Sequence, residues 1–314
     1  MKDLFFSVVI PVYNSNRSLG ELVKRLHAIF HEDVRETYEI IFVDDCSPRI
    51  ETWNTLQTIA QDNSSVRAFR LAKNFGQARA LLCGMAQARG QWIITMDDDL
   101  QHRPEDIPLL LEQRNHDVVL ARFPEKHCGY WKKLSSTING RLEVHLLGKP
   151  RHLTASSFRI LKRQVVQNIL SIHTLNPFHT ALILAVASDV VNVDVTHEAR
   201  KYGKSNYNLR KSLSLLSNML FNNSSFMLRA MSMFGFALTG LNFLFGLGLV
   251  VQRLLDDQPV LGWTSLMVVT LMSTGAIIFC LGVLGEYMAR LIATAESRPP
   301  WVIKERVDHA DNEP

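Results

Sequence analysis

Two long uncharged runs near the C-terminus constrain this chain more than any other feature. Between Arg229 and Gln252 lie 22 residues without a charged side chain, AMSMFGFALTGLNFLFGLGLVV. Between Asp257 and Glu286 lie 28 more, of which TSLMVVTLMSTGAIIFCLGVLG is the most apolar part. Each run is long enough to cross about 30 Å of hydrocarbon as a helix. The overall composition, 47% hydrophobic and 20% charged, becomes informative only once those residues are located. One catalytic domain of ordinary size remains ahead of the runs.

The basic residues set an orientation. Arg200, Lys201, Lys204, Arg210, Lys211 and Arg229 precede the first run, and Arg290, Arg298, Lys304 and Arg306 follow the second. The connecting loop QRLLDDQPVLGW carries only Arg253 against Asp256 and Asp257. Lys and Arg collect on the cytoplasmic side of spans, so both termini are expected there and the loop outside. The opening MKDLFFSVVIPVYN has no cleavage site and no apolar region of signal-peptide length. Two spans with neither signal peptide nor organelle signal suit a multi-pass protein of a bacterial inner membrane. Cys46, Cys83, Cys128 and Cys280 are dispersed without a CxxC pair, as expected of free thiols in the cytoplasm. The formal charge of +4 is modest, and no nucleic-acid partner is expected. The basic residues ahead of the first run suit anionic headgroups or a phosphorylated ligand at the membrane.

The first 230 residues alternate short apolar strands with helical stretches. Strands are expected at 5–13, 38–45, 66–72, 91–99 and 116–123, and helices at 18–30, 51–62, 76–88 and 104–113. This rhythm predicts a parallel sheet covered by helices on both faces, with ligands bound at the carboxyl ends of its strands. Three polar clusters fall at such ends: PVYN, DDCS and DDDLQ. No GxGxxG follows the first strand and no GxxxxGK[ST] occurs, which argues against a dinucleotide site or a P-loop.

The cluster Asp97, Asp98 and Asp99 demands a positive partner, because like charges this close repel. Capping the helix that starts near Pro104 would use one aspartate, not three. A divalent cation bridging carboxylates and phosphates supplies the missing charge, and Mg²⁺ and Mn²⁺ favour such oxygen ligands.

The chain resembles the family 2 glycosyltransferases, and within them the polyprenyl-phosphate glycosyltransferases. SVVIPVYN (7–14), EIIFVDDCS (39–47), LAKNFGQARALLCGM (71–85), MDDDLQHRPEDIP (96–108) and RKYGKSNY (200–207) carry the resemblance in order, followed by the two spans and LGEYMARLIATAESRPPWVI (284–303). The resemblance implies a GT-A fold, Rossmann-like with a mainly parallel sheet, that binds a nucleoside diphosphate sugar and Mg²⁺ or Mn²⁺. It implies that Pro11, Tyr13 and Asn14 line the base or ribose, with Asp44 and Asp45 nearby and Lys73 close to the donor. Asp97 and Asp99 match the DxD pair, with Asp99 and Gln101 as metal ligands beside Asp97. Asp98 should point away by strand alternation. Many relatives carry Glu after PVYN, where this chain has Ser15.

Relatives often place an Asp before an FR-like segment as the base that deprotonates the acceptor. Here HLTASSFRILKR (152–163) has Ser156 and Ser157 in that neighbourhood. A phosphate acceptor removes the need, since a phosphomonoester with a second pKa of about 6 is already largely anionic at neutral pH. The enzyme must then position two anions and neutralise the leaving diphosphate. Arg122, Lys132, Lys133, Ser157, Arg159, Arg200 and Lys204 are candidates for the acceptor-phosphate side. By family position, Arg200, Ser205 and Tyr207 belong to a loop near the site; Asn206 stands where relatives have Lys, and Lys204 compensates.

The expected organisation is a catalytic domain over 1–207, interfacial amphipathic helices over 208–229, two spans within 230–290 and a cytoplasmic tail over 291–314. The stretch 212–231 has the helical apolar spacing of a segment lying at the headgroups. Glu286 and Arg290 can pair at i, i+4 as a structural contact. The expected reaction is inverting sugar transfer to a polyprenyl phosphate, undecaprenyl phosphate in a bacterium, for envelope glycan or lipopolysaccharide modification. A processive polysaccharide synthase is a rival reading, but such relatives carry QxxRW and more spans. A degenerate, non-catalytic membrane scaffold is another, opposed by the intact DxD. Many relatives are oligomers, so a homo-oligomer is also expected. The sugar and the nucleobase are not legible.

Overall fold

The computed structural model describes residues 4–123, 150, 152–174, 177–196, 262–295 and 299–308, with isolated positions between 233 and 251. The chain divides into two compact units, 1–207 with 298–314, and 208–297.

The first unit is built on strands β1 (Phe6–Val12), β2 (Tyr38–Asp44), β3 (Val66–Leu71), β4 (Trp92–Thr95), β5 (Val118–Arg122), β6 (Arg159–Lys162), β7 (Val190–Asp194) and β8 (Ile303–Val307). Its helices are α1 (Leu19–Ile29), α2 (Ile50–Asp62), α3 (Gln77–Gln87), α4 (Ile107–Leu111), α5 (Arg163–Ser171) and α6 (His179–Val186). The strands form one mixed sheet in the order β7-β5-β6-β4-β1-β2-β3-β8. Four neighbouring pairs are parallel, and β6 and β8 run antiparallel to their neighbours.

Strand alternation sends successive side chains to opposite faces, and the core divides accordingly. Val8, Ile10, Ile40 and Phe42 join α1 and α2 residues Leu22, Leu26, Trp53 and Leu56 in one cluster. Val9, Ile41 and Val43 join α3 and α5 residues Leu81, Met85 and Val165 in the other. All seven β1 residues are buried, as befits a strand covered on both faces. Helix α1 buries Leu19, Leu22, Val23, Leu26 and Ile29, a stripe at helical spacing. In α3, Gly84 lets helix and sheet approach closely: a Cβ there would lie 2.3 Å from Val9 Cγ1.

The five strands expected from apolar runs are all present. Three more were not foreseen. VVNVD forms β7 on the edge of β5. RILK, inside the segment read for acceptor chemistry, forms β6 between β4 and β5. IKERV, inside the expected tail, forms β8 on the edge of β3. There Arg67 binds Asp308 at 2.7 and 2.9 Å and Glu39 at 3.0 Å, while Trp301 and Ile303 pack on the core.

In the second unit, residues Trp263–Ala295 form one continuous helix, α7, of 33 residues. Among the described residues no helix is long and apolar enough to cross a membrane, so both spans remain sequence expectations. Even so, α7 contains the whole uncharged stretch from Trp263 to Gly285. Its Leu266, Ile277, Ile278, Phe279 and Leu281 are all exposed. The first expected span and the stretch 212–231 fall largely or wholly outside the described residues.

Candidate active site

Adjacent strands β4, β1 and β2 end side by side, and the polar clusters gather there. After β1 the chain turns through Asn14, at φ 58°, leaving Tyr13 exposed. The Asn14 N–H donates to Ser47 Oγ at 2.8 Å, and the Ser47 hydroxyl donates to Asp44 Oδ1 at 2.5 Å. Asp45 accepts the N–H groups of Phe75 and Gly76 at 2.7 and 2.8 Å. Gly76 has φ 92°, a conformation that favours glycine. Asp44 and Asp45 are both buried, and burial pushes both carboxyls above the usual range against the pull of these hydrogen bonds. They act inward, fixing the Tyr13–Asn14 loop and the turn into α3. Lys73 is exposed, with Nζ 5.1 Å from the centroid of Phe75.

Strand β4 stops at Thr95, so Asp97–Asp99 lie beyond it in a turn that ends with Leu100 at φ 62°. Strand alternation therefore does not apply to Asp98. Its carboxyl faces Ser15 and the Tyr13 backbone, and its Oδ2 is buried without a hydrogen-bond partner. Burial, reinforced by the charges of Asp97 and Asp99, pushes it up to about 7 despite the Ser15 hydrogen bond. A middle aspartate that is partly protonated at neutral pH relieves part of the repulsion within the triplet.

Asp97 is held from four directions. Gln77 Nε2 donates to Oδ1 at 2.9 Å, and Ser157 Oγ donates to Oδ2 at 2.9 Å. Its own N–H donates to His102 Nδ1 at 3.0 Å. Arg159 is buried close enough to act on it electrostatically, and donates to Thr95 Oγ1 at 3.2 Å. The Thr95 hydroxyl in turn donates to the Ser157 carbonyl at 2.6 Å. Burial lowers Arg159 to about 10, which leaves it charged at neutral pH. This guanidinium is a positive partner that the sequence had not assigned to the triplet. Asp99 Oδ1 accepts the Gln101 N–H at 3.0 Å.

His102 follows the aspartates in MDDDLQHRPEDIP. Its ring lies flat between Phe123 and Phe158, with centroids 5.5 and 5.3 Å away and planes within 15°. Because Nδ1 accepts a hydrogen bond, Nε2 carries the proton in the neutral ring, and it lies 3.8 Å from Asp97 Oδ2. His179, at the start of α6, donates Nε2–H to Ala78 O at 2.9 Å, and its Nδ1 is buried without a partner. Burial and the nearby Arg159 charge drive its pKa down to about 3.

The acceptor-side candidates fare differently. Ser157 stands at Asp97. Arg159 is buried, with its charge acting on Asp97 and its Nε on Thr95. Arg122 is exposed at the end of β5 but forms a bidentate pair with Asp194. Lys132, Lys133, Arg200, Lys204, Ser205 and Tyr207 lie outside the described residues.

Among the described residues no three His, Cys, Asp or Glu side chains form a metal cage. A Mg²⁺ or Mn²⁺ site completed by substrate phosphate and water needs only one or two carboxylates. Asp97 and Asp99 provide two half-buried carboxylates in one turn, with the Gln101 amide two residues on. Their oxygen chemistry fits such an ion.

Residues 7–170 match the family described as Glycosyl transferase family 2. The chain is 34% identical over 309 residues to the undecaprenyl-phosphate 4-deoxy-4-formamido-L-arabinose transferase of Pseudomonas aeruginosa (strain LESB58), covering 97% of this chain and 90% of that protein. It is 32% identical over 315 residues to the protein of the same name from Edwardsiella ictaluri (strain 93-146), covering 98% and 97%. Among solved structures, glucosyl-3-phosphoglycerate synthase from Mycobacterium tuberculosis in complex with UDP superposes with a TM-score of 0.50 at 15% identity, covering 69% of this chain and 79% of that one. The last similarity concerns the fold alone. A family match across more than half of the chain, joined to relatives aligned along nearly all of it, makes this protein a glycosyltransferase of family 2.

Proposed function

We propose that this glycosyltransferase moves a sugar from a nucleoside diphosphate to undecaprenyl phosphate at the cytoplasmic face of a bacterial inner membrane, for envelope glycan or lipopolysaccharide modification. The relatives named for undecaprenyl phosphate align through the apolar runs as well as the catalytic unit, which supports a lipid acceptor. The observation that carries the acceptor class is Ser157. Where a base for an alcohol acceptor would stand, a hydroxyl donates to Asp97, and the described segment 152–159 contains no carboxylate. An alcohol would need that base; a phosphate oxygen, already anionic, does not.

In the proposed reaction an acceptor phosphate oxygen attacks the anomeric carbon. The bond from that carbon to the diphosphate breaks, its electron pair leaves on the β-phosphate, and the configuration inverts. Asp97 and Asp99, with Gln101, would hold a divalent cation that offsets the charge of the leaving diphosphate. Pro11, Tyr13 and Asn14 would line the nucleoside. Asp44 and Asp45 support the loops around it. Lys132, Lys133, Arg200 and Lys204 would meet the acceptor phosphate, with Ser205 and Tyr207 in the same loop as Arg200. The exposed apolar residues around α7 would face lipid, since apolar patches this extensive are rare on water-facing surfaces.

Membranes containing the protein, incubated with undecaprenyl phosphate and a panel of nucleotide sugars, should yield a glycosyl phosphoryl undecaprenol identifiable by mass. Asp99→Ala should abolish the product while leaving the protein folded. Unchanged transfer in that variant would overturn the role given to the aspartate turn.

A further inference from the structure

The C-terminal strand reaches the candidate site through one side chain. Glu305 and Arg70 are cross-strand partners in the β8–β3 pair. Glu305 Oε1 accepts from Arg70 Nη1 at 3.3 Å, and Oε2 accepts the Trp53 indole N–H at 2.8 Å. The same guanidinium presents Nε to the buried Asp44 Oδ2 at 3.4 Å, and neither of those two atoms has a hydrogen-bond partner. The other oxygen of Asp44 holds Ser47, and Ser47 holds the Asn14 N–H. An unbroken set of polar contacts thus runs from β8 to the loop after β1.

The strand itself is anchored elsewhere. Asp308 Oδ2 receives Arg67 at 2.7 and 2.9 Å and Arg89 at 3.1 Å, and the backbone pairs with β3 along its length. Docking of β8 therefore has anchors besides Glu305, whose carboxylate contacts Trp53, Arg70 and Lys304. A guanidinium beside a buried carboxylate can adopt several orientations unless its outer nitrogens are also fixed. Glu305 fixes Nη1 and is itself fixed by Trp53.

We propose that Glu305 is a positioning residue for the donor loop, acting through Arg70, Asp44 and Ser47 on Asn14, so that a strand following the apolar region completes the nucleotide pocket. The proposal rests on reading that pocket as the nucleoside diphosphate site.

The test uses the full-length protein in detergent, titrated calorimetrically with ADP, CDP, GDP and UDP in the presence of Mn²⁺. Whichever diphosphate the wild type binds should bind about tenfold more weakly to Glu305→Gln. The KM for the matching nucleotide sugar should rise in parallel, with kcat and the KM for undecaprenyl phosphate within about twofold of wild type. Asp308→Asn should do the reverse, lowering the melting temperature and leaving nucleotide affinity intact. Equal affinity in the wild type and Glu305→Gln overturns the proposal and leaves the pocket reading standing. A wild type that binds none of the four overturns both. Should Glu305→Gln fail to fold, Glu305→Asp, which keeps the charge but draws it one methylene back from Trp53 and Arg70, is read by the same criterion.

Discussion

His102 illustrates how a site can depend on a side chain that need not touch substrate. Stacked between Phe123 and Phe158, its ring cannot swing, so Nδ1 stays on the Asp97 N–H. For a carboxylate that holds a metal, the role proposed for Asp97, losing such a support typically costs 10–100-fold in metal affinity or activity. His102→Ala should therefore lower turnover on about that scale and shift the Mn²⁺ concentration needed for half-maximal activity upward. His102→Asn, whose amide oxygen can take the place of Nδ1, should recover part of the loss, and metal titrations of both variants check this. His179 provides a pH test. Its folded pKa, about 3, lies below the ordinary 6.5, so the unfolded chain takes up a proton that the folded one refuses. Its contribution to stability is complete above about pH 6.5 and is lost as pH falls toward 3. Melting temperatures measured from pH 7 to pH 4 should fall less steeply in His179→Gln than in wild type. At this scale the sequence showed the aspartate cluster and demanded a positive charge for it. It could not show Arg159, 60 or more residues away, or the pairing of Arg122 with Asp194, because both depend on which strands become neighbours.

Helix α3 carries the element-scale argument. Its first turn serves the site through Gly76 and Gln77, and its body packs on β1 and β2. The close approach at Gly84 ties the two, because a side chain there would push against Val9 and Val43, which are stiff β-branched residues in the sheet. Gly84→Val should cost about 1–3 kcal/mol by overpacking and weaken nucleotide binding as the first turn shifts, readable as a lower melting temperature and a higher donor KM. The long strands were legible because continuous apolar runs such as FSVVIPV announce burial on both faces. Strands β6, β7 and β8 were not. RILK and IKERV are short and half charged, and their polar residues find partners only after folding: Lys162 with Asp117, Glu305 with Trp53 and Arg70. Strand alternation stops short of Asp98 for the same reason, since the end of β4 at Thr95 is set by its pairing with β1 and β6 and not by the residues that follow.

For the whole molecule, the return of the chain to the sheet sets a rule of parity. The unit 208–297 is an insertion: it leaves the catalytic unit at one end and rejoins it at the other, where β8 takes its place beside β3. A chain that departs from a folded body and comes back to it must finish on the side from which it started. However many times 208–297 passes through a bilayer, that number is even, and this holds without counting a single positive charge. Single-cysteine variants at Gln252 and Asp311, in a background without the native cysteines, should react on opposite sides of a sealed membrane with an impermeant maleimide if Gln252 lies in the loop between two passages. Labelling of both from the same side would remove the passage between them. A truncation before β8 loses more than an edge strand: it releases the constraint that makes one passage impossible.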